Sequence, residues 1–214
     1  MTTRPVTQTA LPDWWNPLAQ RAAEIPGSAI TKHLPPPQGG RRSAVLVLLG
    51  EDERGPNVLV IQRSSTLRHH AGQPGFPGGA SDPGDRDLVD TALRETEEEV
   101  ALDRSSTTVV TTLPELWIGV TNFRVTPVLA WWHAPHPVYP HSRAEVETVA
   151  ILPVHRLADP QHRLRAQHPS GYIGPAFSLD GLLIWGFTAG VLSTVLHLGG
   201  WDRPWDRNRI ADVS

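Results

Sequence analysis

The chain contains no cysteine, which removes disulfides, thiolate zinc sites and cysteine nucleophiles and fits a reducing, cytoplasmic setting. It has no surplus of positive charge: 19 Lys plus Arg, nearly all of them Arg, stand against 22 Asp plus Glu. No global field gathers nucleic acid, so a polyanionic ligand must be held locally. A basic-then-apolar leader is missing too, because Met1 to Pro12 is polar and rich in Thr and Pro, and export is not expected. Long apolar runs are scarce. Leu182 to Trp201 is uncharged and long enough to cross a bilayer, but glycines such as Gly186 and Gly190 interrupt it and Thr188, Ser193, Thr194 and His197 dilute it. It reads as a short strand, Leu182 to Ile184, running into a core helix from about Trp185 to Leu198, with no membrane role.

What is present suits one domain with elaborations, since 214 residues can bury a sizeable core but are short for two average domains. The expected division is an N-terminal helix and Pro-rich linker (1–40), a main domain (41–200) and a C-terminal tail (201–214). An amphipathic stretch from Trp14 to Ala23, capped by Asp13, precedes the linker Leu34 to Gly40. Ser43 to Leu49 and Asn57 to Gln62 are continuous apolar runs joined by the turn-forming Gly50 to Pro56, and together predict a β-hairpin. Pro74 to Gly84 is so rich in Gly and Pro that it predicts a loop able to approach a ligand closely. After it, Leu88, Val89, Ala92, Leu93, Thr96 and Val100 recur at helical steps, with Asp85 as the expected cap. Further strands are expected at Leu113 to Val120, Arg124 to Trp132 and Val146 to Leu152. Strands on either side of a central helix, with a second helix late in the chain, predict an α+β fold built as an α/β/α sandwich.

The chemistry concentrates in that central helix. At about 100° per residue, Glu95, Glu98 and Glu99 share an arc of about 100° beside the apolar stripe. Carboxylates so close raise one another's proton affinity unless a positive charge sits among them, and Mg²⁺ or Mn²⁺ is the natural partner. Arg94 is placed to orient one of these acids. Upstream, Arg63, Arg68 and His70 form a cluster able to bind phosphate. The two arginines either grip phosphate oxygens or pair with the acidic helix, and His70 either contacts phosphate or closes its loop. Asp82 and Asp85 read as turn and cap residues. Trp117, Trp131, Trp132 and Trp185 read as core or interface, and the segment Trp201 to Trp205 packs on its own domain or on a second subunit, so a homodimer is possible.

Gly79, Asp85, Arg94-Glu95, Glu98-Glu99, Ala101 and Leu102 resemble the Nudix box, with Asp85 in place of the usual first Glu and Ala101 in place of the last glycine. Arg63-Ser64, Leu67-Arg68, His70, Gly72-Gln73 and Phe76-Pro77-Gly78-Gly79 resemble the segment that precedes the box in the coenzyme A pyrophosphatase branch, as do Phe123 to Val128, Glu145-Val146 and Ile184 to Ala189. Pro74 stands where that branch usually has an aliphatic residue. The resemblance implies a Nudix fold, a mixed sheet between helices, and hydrolysis of a small-molecule diphosphate, coenzyme A or an acyl derivative, to 3′,5′-ADP and (acyl-)4′-phosphopantetheine. It further implies metal ligation by Glu95, Glu98 and Glu99 with the Gly79 carbonyl, and substrate contacts at Arg63, Arg68, His70, Gly78 and Gly79. Glu98 ranks before Glu145 as proton acceptor for the attacking water. Two other readings stay open: a Nudix hydrolase of another nucleoside diphosphate derivative, and a non-catalytic nucleotide-binding module.

Overall fold

The structure is a computed structural model and describes residues 10–31, 36, 39–67, 70–119 and 121–213. Helix α1 (Trp15–Glu24) and the single-turn α2 (Gly27–Ile30) lead into the hairpin β1 (Arg41–Asp52) and β2 (Gly55–Arg63). Short strands β3 (Pro74–Gly75) and β4 (Gly78–Ala80) precede helix α3 (Leu88–Val100). Strands β5 (Thr107–Thr112), β6 (Leu116–Ile118), β7 (Phe123–Trp132) and β8 (Val146–Pro153) complete the main sheet. After the one-turn α4 (Val154–Leu157) come β9 (Arg163–Gln167), β10 (Ile173–Leu179), β11 (Leu182–Ile184), α5 (Gly186–Leu198) and β12 (Ile210–Asp212).

The main sheet is mixed. β1 and β7 run parallel, with Leu46 opposite Val128, whereas β2 pairs antiparallel with β1 and β8, and β5 and β6 pair antiparallel with β7. The hairpin holds together at its tip, where Leu49 faces Val58, and splays further down. There β4 takes up the free edge of β1, with Ala44 opposite Gly79, and β3 takes up that of β2, with Ile61 opposite Gly75. The glycine-rich segment is thus wedged into the middle of the sheet.

Alternation along β1 sends Ala44, Leu46 and Leu48 to one face and Val47 and Leu49 to the other. The first face packs under α3 through Ala92 and Val100. The second packs against Trp15 and Leu18 of α1, Leu192 and Val195 of α5, and Phe177 of β10. This is the expected α/β/α sandwich, each buried large side chain contributing about 1.5–3 kcal/mol. A second sheet, ordered β11-β10-β9-β12, flanks α5.

Several expectations need correction. α1 starts after Trp14, which makes no side-chain cap bond, so Asp13 is not a cap; only its carbonyl takes part, accepting from the Asn16 N–H. α3 is capped by Asp87, which accepts the Asp90 N–H, and not by Asp85. Pro74 to Gly84 was expected to lack regular structure, but neighbouring strand edges recruit β3 and β4 from it. Gly50 to Pro56 is mostly strand, and the reversal is confined to Glu53 and Arg54. The strand expected from Leu113 spans only Leu116–Ile118, while the polar Thr107–Thr112 supplies an unforeseen one. Leu34, Pro35, Pro37, Gln38 and Val120 fall outside the described residues. Leu182–Ile184 and the following helix lie where expected, and no helix among the described residues is long and apolar enough to cross a membrane.

Candidate active site

Gly78 and Gly79 lie between β1 and α3, and each must be small for its own reason. Gly78 has φ +148°, and a Cβ there would strike the Ala44 carbonyl and the Val45 backbone. A Cβ on Gly79 would land on the carboxylate of Glu95. The close approach lets the Gly78 N–H donate to Glu99 Oε2 at 2.9 Å.

Arg94 organises the acids around it. Its Nε and Nη2 donate to both Asp85 oxygens at 2.7 and 3.1 Å, Nη2 reaches the Ala80 carbonyl, and Nη1 lies 3.0 Å from Glu95 and 3.1 Å from Glu98. Asp85 also accepts from the Thr91 hydroxyl and the Asp82 N–H. The fork-to-fork contact with Arg94 holds the Asp85 carboxyl well below the usual carboxylate range. Asp82 accepts the Gly84 N–H, the turn role expected of it.

The three glutamates occupy different environments. Glu99 is buried, 2% exposed, and burial pushes its carboxyl up to about 8, against the opposing pull of the Gly78 N–H and Arg63. Burial also pushes Glu95 up, while Arg94 opposes it. Glu98 is exposed and turned to Arg94, so it does not line the cavity with its neighbours. Of the three, Glu95 and Glu99 line the cavity and Glu98 does not, because Arg94 holds its side chain aside.

Glu95 and Glu99 open into a groove of about 1940 Å³. Glu145 lies on its wall, on the loop before β8; the loop is hooked to α3 by the His141 N–H donating to the Glu99 carbonyl at 2.9 Å. Glu145 is near enough to raise the proton affinity of both Glu95 and Glu99. Arg63 lies at the β2 bulge on the same wall, and its Nε is buried with no hydrogen-bond acceptor among the described residues. His70 has φ +55° and its Nδ1 lies 2.9 Å from Gln73 Oε1, so it braces its own turn while also lining the groove. Arg68 falls outside the described residues.

Sequence reasoning missed the aromatic part of the groove lining. Trp185 stacks on His168 with centroids 5.6 Å apart, Tyr172 leans on the same ring, and Trp117 and Phe123 line the groove further along. Trp131 and Trp132 are core, as expected, whereas Trp117 and Trp185 are only half buried. The missing signal was the second sheet, which brings His168 and Tyr172 to Trp185.

The donor set fits a hard divalent cation. Half-buried Glu95 and buried Glu99, with Glu145 nearby, offer only oxygen donors and concentrate negative charge that burial alone would protonate. With the side chains as they stand, no three His, Asp or Glu groups among the described residues are close enough to enclose an ion. Glu98 would have to leave Arg94 to join the set.

A sandwich with a two-glycine strand facing helical carboxylates defines a class, and residues 40–172 match the NUDIX domain model: the chain belongs to that family, whose chemistry is hydrolysis of a diphosphate. It is 38% identical over 159 residues to a protein named Uncharacterized Nudix hydrolase NudL from Citrobacter koseri, covering 71% of this chain and 79% of that one. A protein of the same name from Escherichia coli O7:K1 is 37% identical over 159 residues, again 71% and 79% of the two chains. The crystal structure of the Nudix hydrolase RenU from M. smegmatis aligns with a TM-score of 0.54 over 79% of this chain and 92% of that one; at 22% identity this likeness concerns the Nudix fold alone.

Proposed function

We propose that the chain is a cytoplasmic pyrophosphohydrolase that cleaves the diphosphate of coenzyme A or an acyl-coenzyme A to 3′,5′-ADP and (acyl-)4′-phosphopantetheine. The observation that carries this is a buried carboxylate, Glu99, beside the half-buried Glu95, lining together with an arginine that has an unused donor, Arg63, a groove with room for an elongated ligand. The upstream segment from Arg63 to Gly79, which resembles the coenzyme A branch, supports the choice of substrate.

Glu95, Glu98 and Glu99, with the Gly79 carbonyl, would hold Mg²⁺ or Mn²⁺, which when bound neutralises charge on the diphosphate and lowers the pKa of an attacking water. Arg63, with Arg68 and His70, orients the diphosphate by planar donation to its oxygens. Arg94 acts through the acids: by holding Asp85, Glu95 and Glu98 it fixes the carboxylates against the glycine strand. A carboxylate oxygen of Glu98 or Glu145 takes the water proton as the water oxygen bonds to phosphorus and the bridging P–O bond breaks. Glu145 already lines the groove and Glu98 does not, which favours Glu145 in this arrangement of side chains.

Incubation of the protein with coenzyme A and Mg²⁺ or Mn²⁺, with products identified by mass, tests substrate and bond together. The expected products are 3′,5′-ADP and 4′-phosphopantetheine, formed only when metal is present. No turnover of coenzyme A, with cleavage of a dinucleotide or nucleotide sugar under the same conditions, would replace the substrate and keep the class of reaction.

A further inference from the structure

Beside the groove lies a second cavity of about 870 Å³, and the two share Ile173, Gly174, Pro175, Ser193 and Asp202 as common wall. Its charge is the reverse of the acidic end. Arg163, Arg165, Arg203 and Arg207 line it against one carboxylate, Asp202, whose other oxygen is already 3.2 Å from His197 Nδ1.

Arg163 is the unusual member. It is 1% exposed, with its guanidinium 4.5 Å from the Phe177 ring and 4.9 Å from the Trp205 ring. Nη2 donates to the Ser193 hydroxyl at 2.9 Å, but Nε and Nη1 find no hydrogen-bond acceptor, and Asp202 stands 3.5 Å from Nη1. The two rings explain where the guanidinium sits; they do not satisfy its donors, and buried donors are rarely left open. Arg207 also lies over Trp205, at 5.4 Å. The side chains of Arg165 and Arg203 have no hydrogen-bond or ion-pair partner among the described residues. Four guanidiniums and one carboxylate leave a local excess of positive charge in a chain that is acidic overall. Burial and the neighbouring Arg207 make Arg163 easier to deprotonate than a free arginine, so an anion would relieve both strains.

We propose that Arg163 and Arg207, which lie over Trp205, together with Arg165 and Arg203 form a second anion site that holds a phosphomonoester of the same substrate whose diphosphate lies at the carboxylates. A phosphomonoester offers three acceptor oxygens and close to two negative charges, which suits several guanidinium forks better than a single carboxylate would. The shared wall sets the two cavities side by side, and the ligand that the pair calls for is a diphosphate that carries a further phosphate. For the identity of that ligand the inference rests on the coenzyme A reading above; the anion site itself does not.

The test uses the full chain without metal, titrated by calorimetry with 3′,5′-ADP and with 5′-AMP, which differ by one phosphomonoester. The wild type is expected to bind 3′,5′-ADP at least tenfold more tightly. The double variant Arg165→Met, Arg203→Met, chosen because Arg163 is buried and its loss could unfold the chain, should retain 5′-AMP affinity and lose most of that preference. Equal binding of the two nucleotides by the wild type, no binding of 3′,5′-ADP, or an undiminished preference in the double variant overturns the site. A parallel comparison of kcat/KM for coenzyme A and its 3′-dephospho form, with Mg²⁺, separates the two claims. If the arginines govern 3′,5′-ADP binding but coenzyme A is not cleaved, the anion site stands and the substrate reading falls. If coenzyme A is cleaved and the double variant still prefers it over the dephospho form, the reverse holds.

Discussion

The carboxylate of Glu99 accepts the backbone N–H of Gly78 at 2.9 Å, mooring the buried acid of α3 to the strand wedged into the main sheet. Folding raises the Glu99 carboxyl from its ordinary 4.5 to about 8, so between those values the folded chain holds a proton that the unfolded chain has released. Stability contributed at this residue therefore declines as pH rises from about 4.5 towards 8 and levels off above. Melting temperatures of metal-free wild type and Glu99→Gln across pH 5.5 to 8.5 should show the variant gaining on the wild type with rising pH. Mg²⁺ should recover the wild type selectively at the alkaline end. A wild-type-to-variant difference that stays flat with pH would refute this account of Glu99.

The Arg94 to Asp85 clamp has the opposite sign. Its stabilising contribution is fully present above the normal carboxylate range and is lost only as strong acid protonates Asp85. Asp85→Asn keeps the shape and removes the charge, and should cost about 1–3 kcal/mol in urea denaturation at pH 7, less than a fully buried pair because Arg94 is partly exposed.

Ala101 ends α3 at φ +59°, the left-handed region in which a side chain is strained. Ala101→Gly should raise stability by about 1 kcal/mol and leave hydrolysis unchanged, as measured by denaturant midpoint and initial rate.

The two glycines should separate. Gly78→Ala meets β1 backbone and should lower stability by about 1–3 kcal/mol. Gly79→Ala meets only the end of the Glu95 side chain, which can move, so the fold should survive while hydrolysis drops about 10–100-fold. Equal effects of both substitutions on melting temperature would contradict this division.

For the proton acceptor, Glu98→Gln and Glu145→Gln are compared at saturating metal. Loss of a general base lowers kcat by about 10²–10⁴-fold, and only the true acceptor should also lose the acidic limb of the pH–rate profile. Normal rates in both variants would exclude both residues.

The legible part of this protein was periodic or chemically dense. The continuous apolar run at Ser43 to Leu49, the helical spacing from Leu88 to Val100 and the acids in that helix were readable because each obeys a local rule. Asp85 was misread because an acid before a helix usually caps it, whereas Asp87 is two residues nearer the first turn and Asp85 is drawn away by Arg94. Glu98 was counted with its neighbours because an angle on a helix says nothing about which rotamer an adjacent arginine will capture. Strands β9, β10 and β12 were invisible for a different reason. Arg163, Gly174, Pro175 and Arg165 break any alternation, and only pairing with one another makes these segments strands.

Helix α1 lies outside the stretch that matches the family, residues 40–172, yet Trp15 and Leu18 are fully buried against the main sheet and Arg21 donates to the Leu198 carbonyl at the end of α5. α5 also lies outside that stretch. The stretch that the domain model matches is therefore half a sandwich. A recombinant piece trimmed to it would present a bare hydrophobic sheet face to water and would self-associate before it could be assayed.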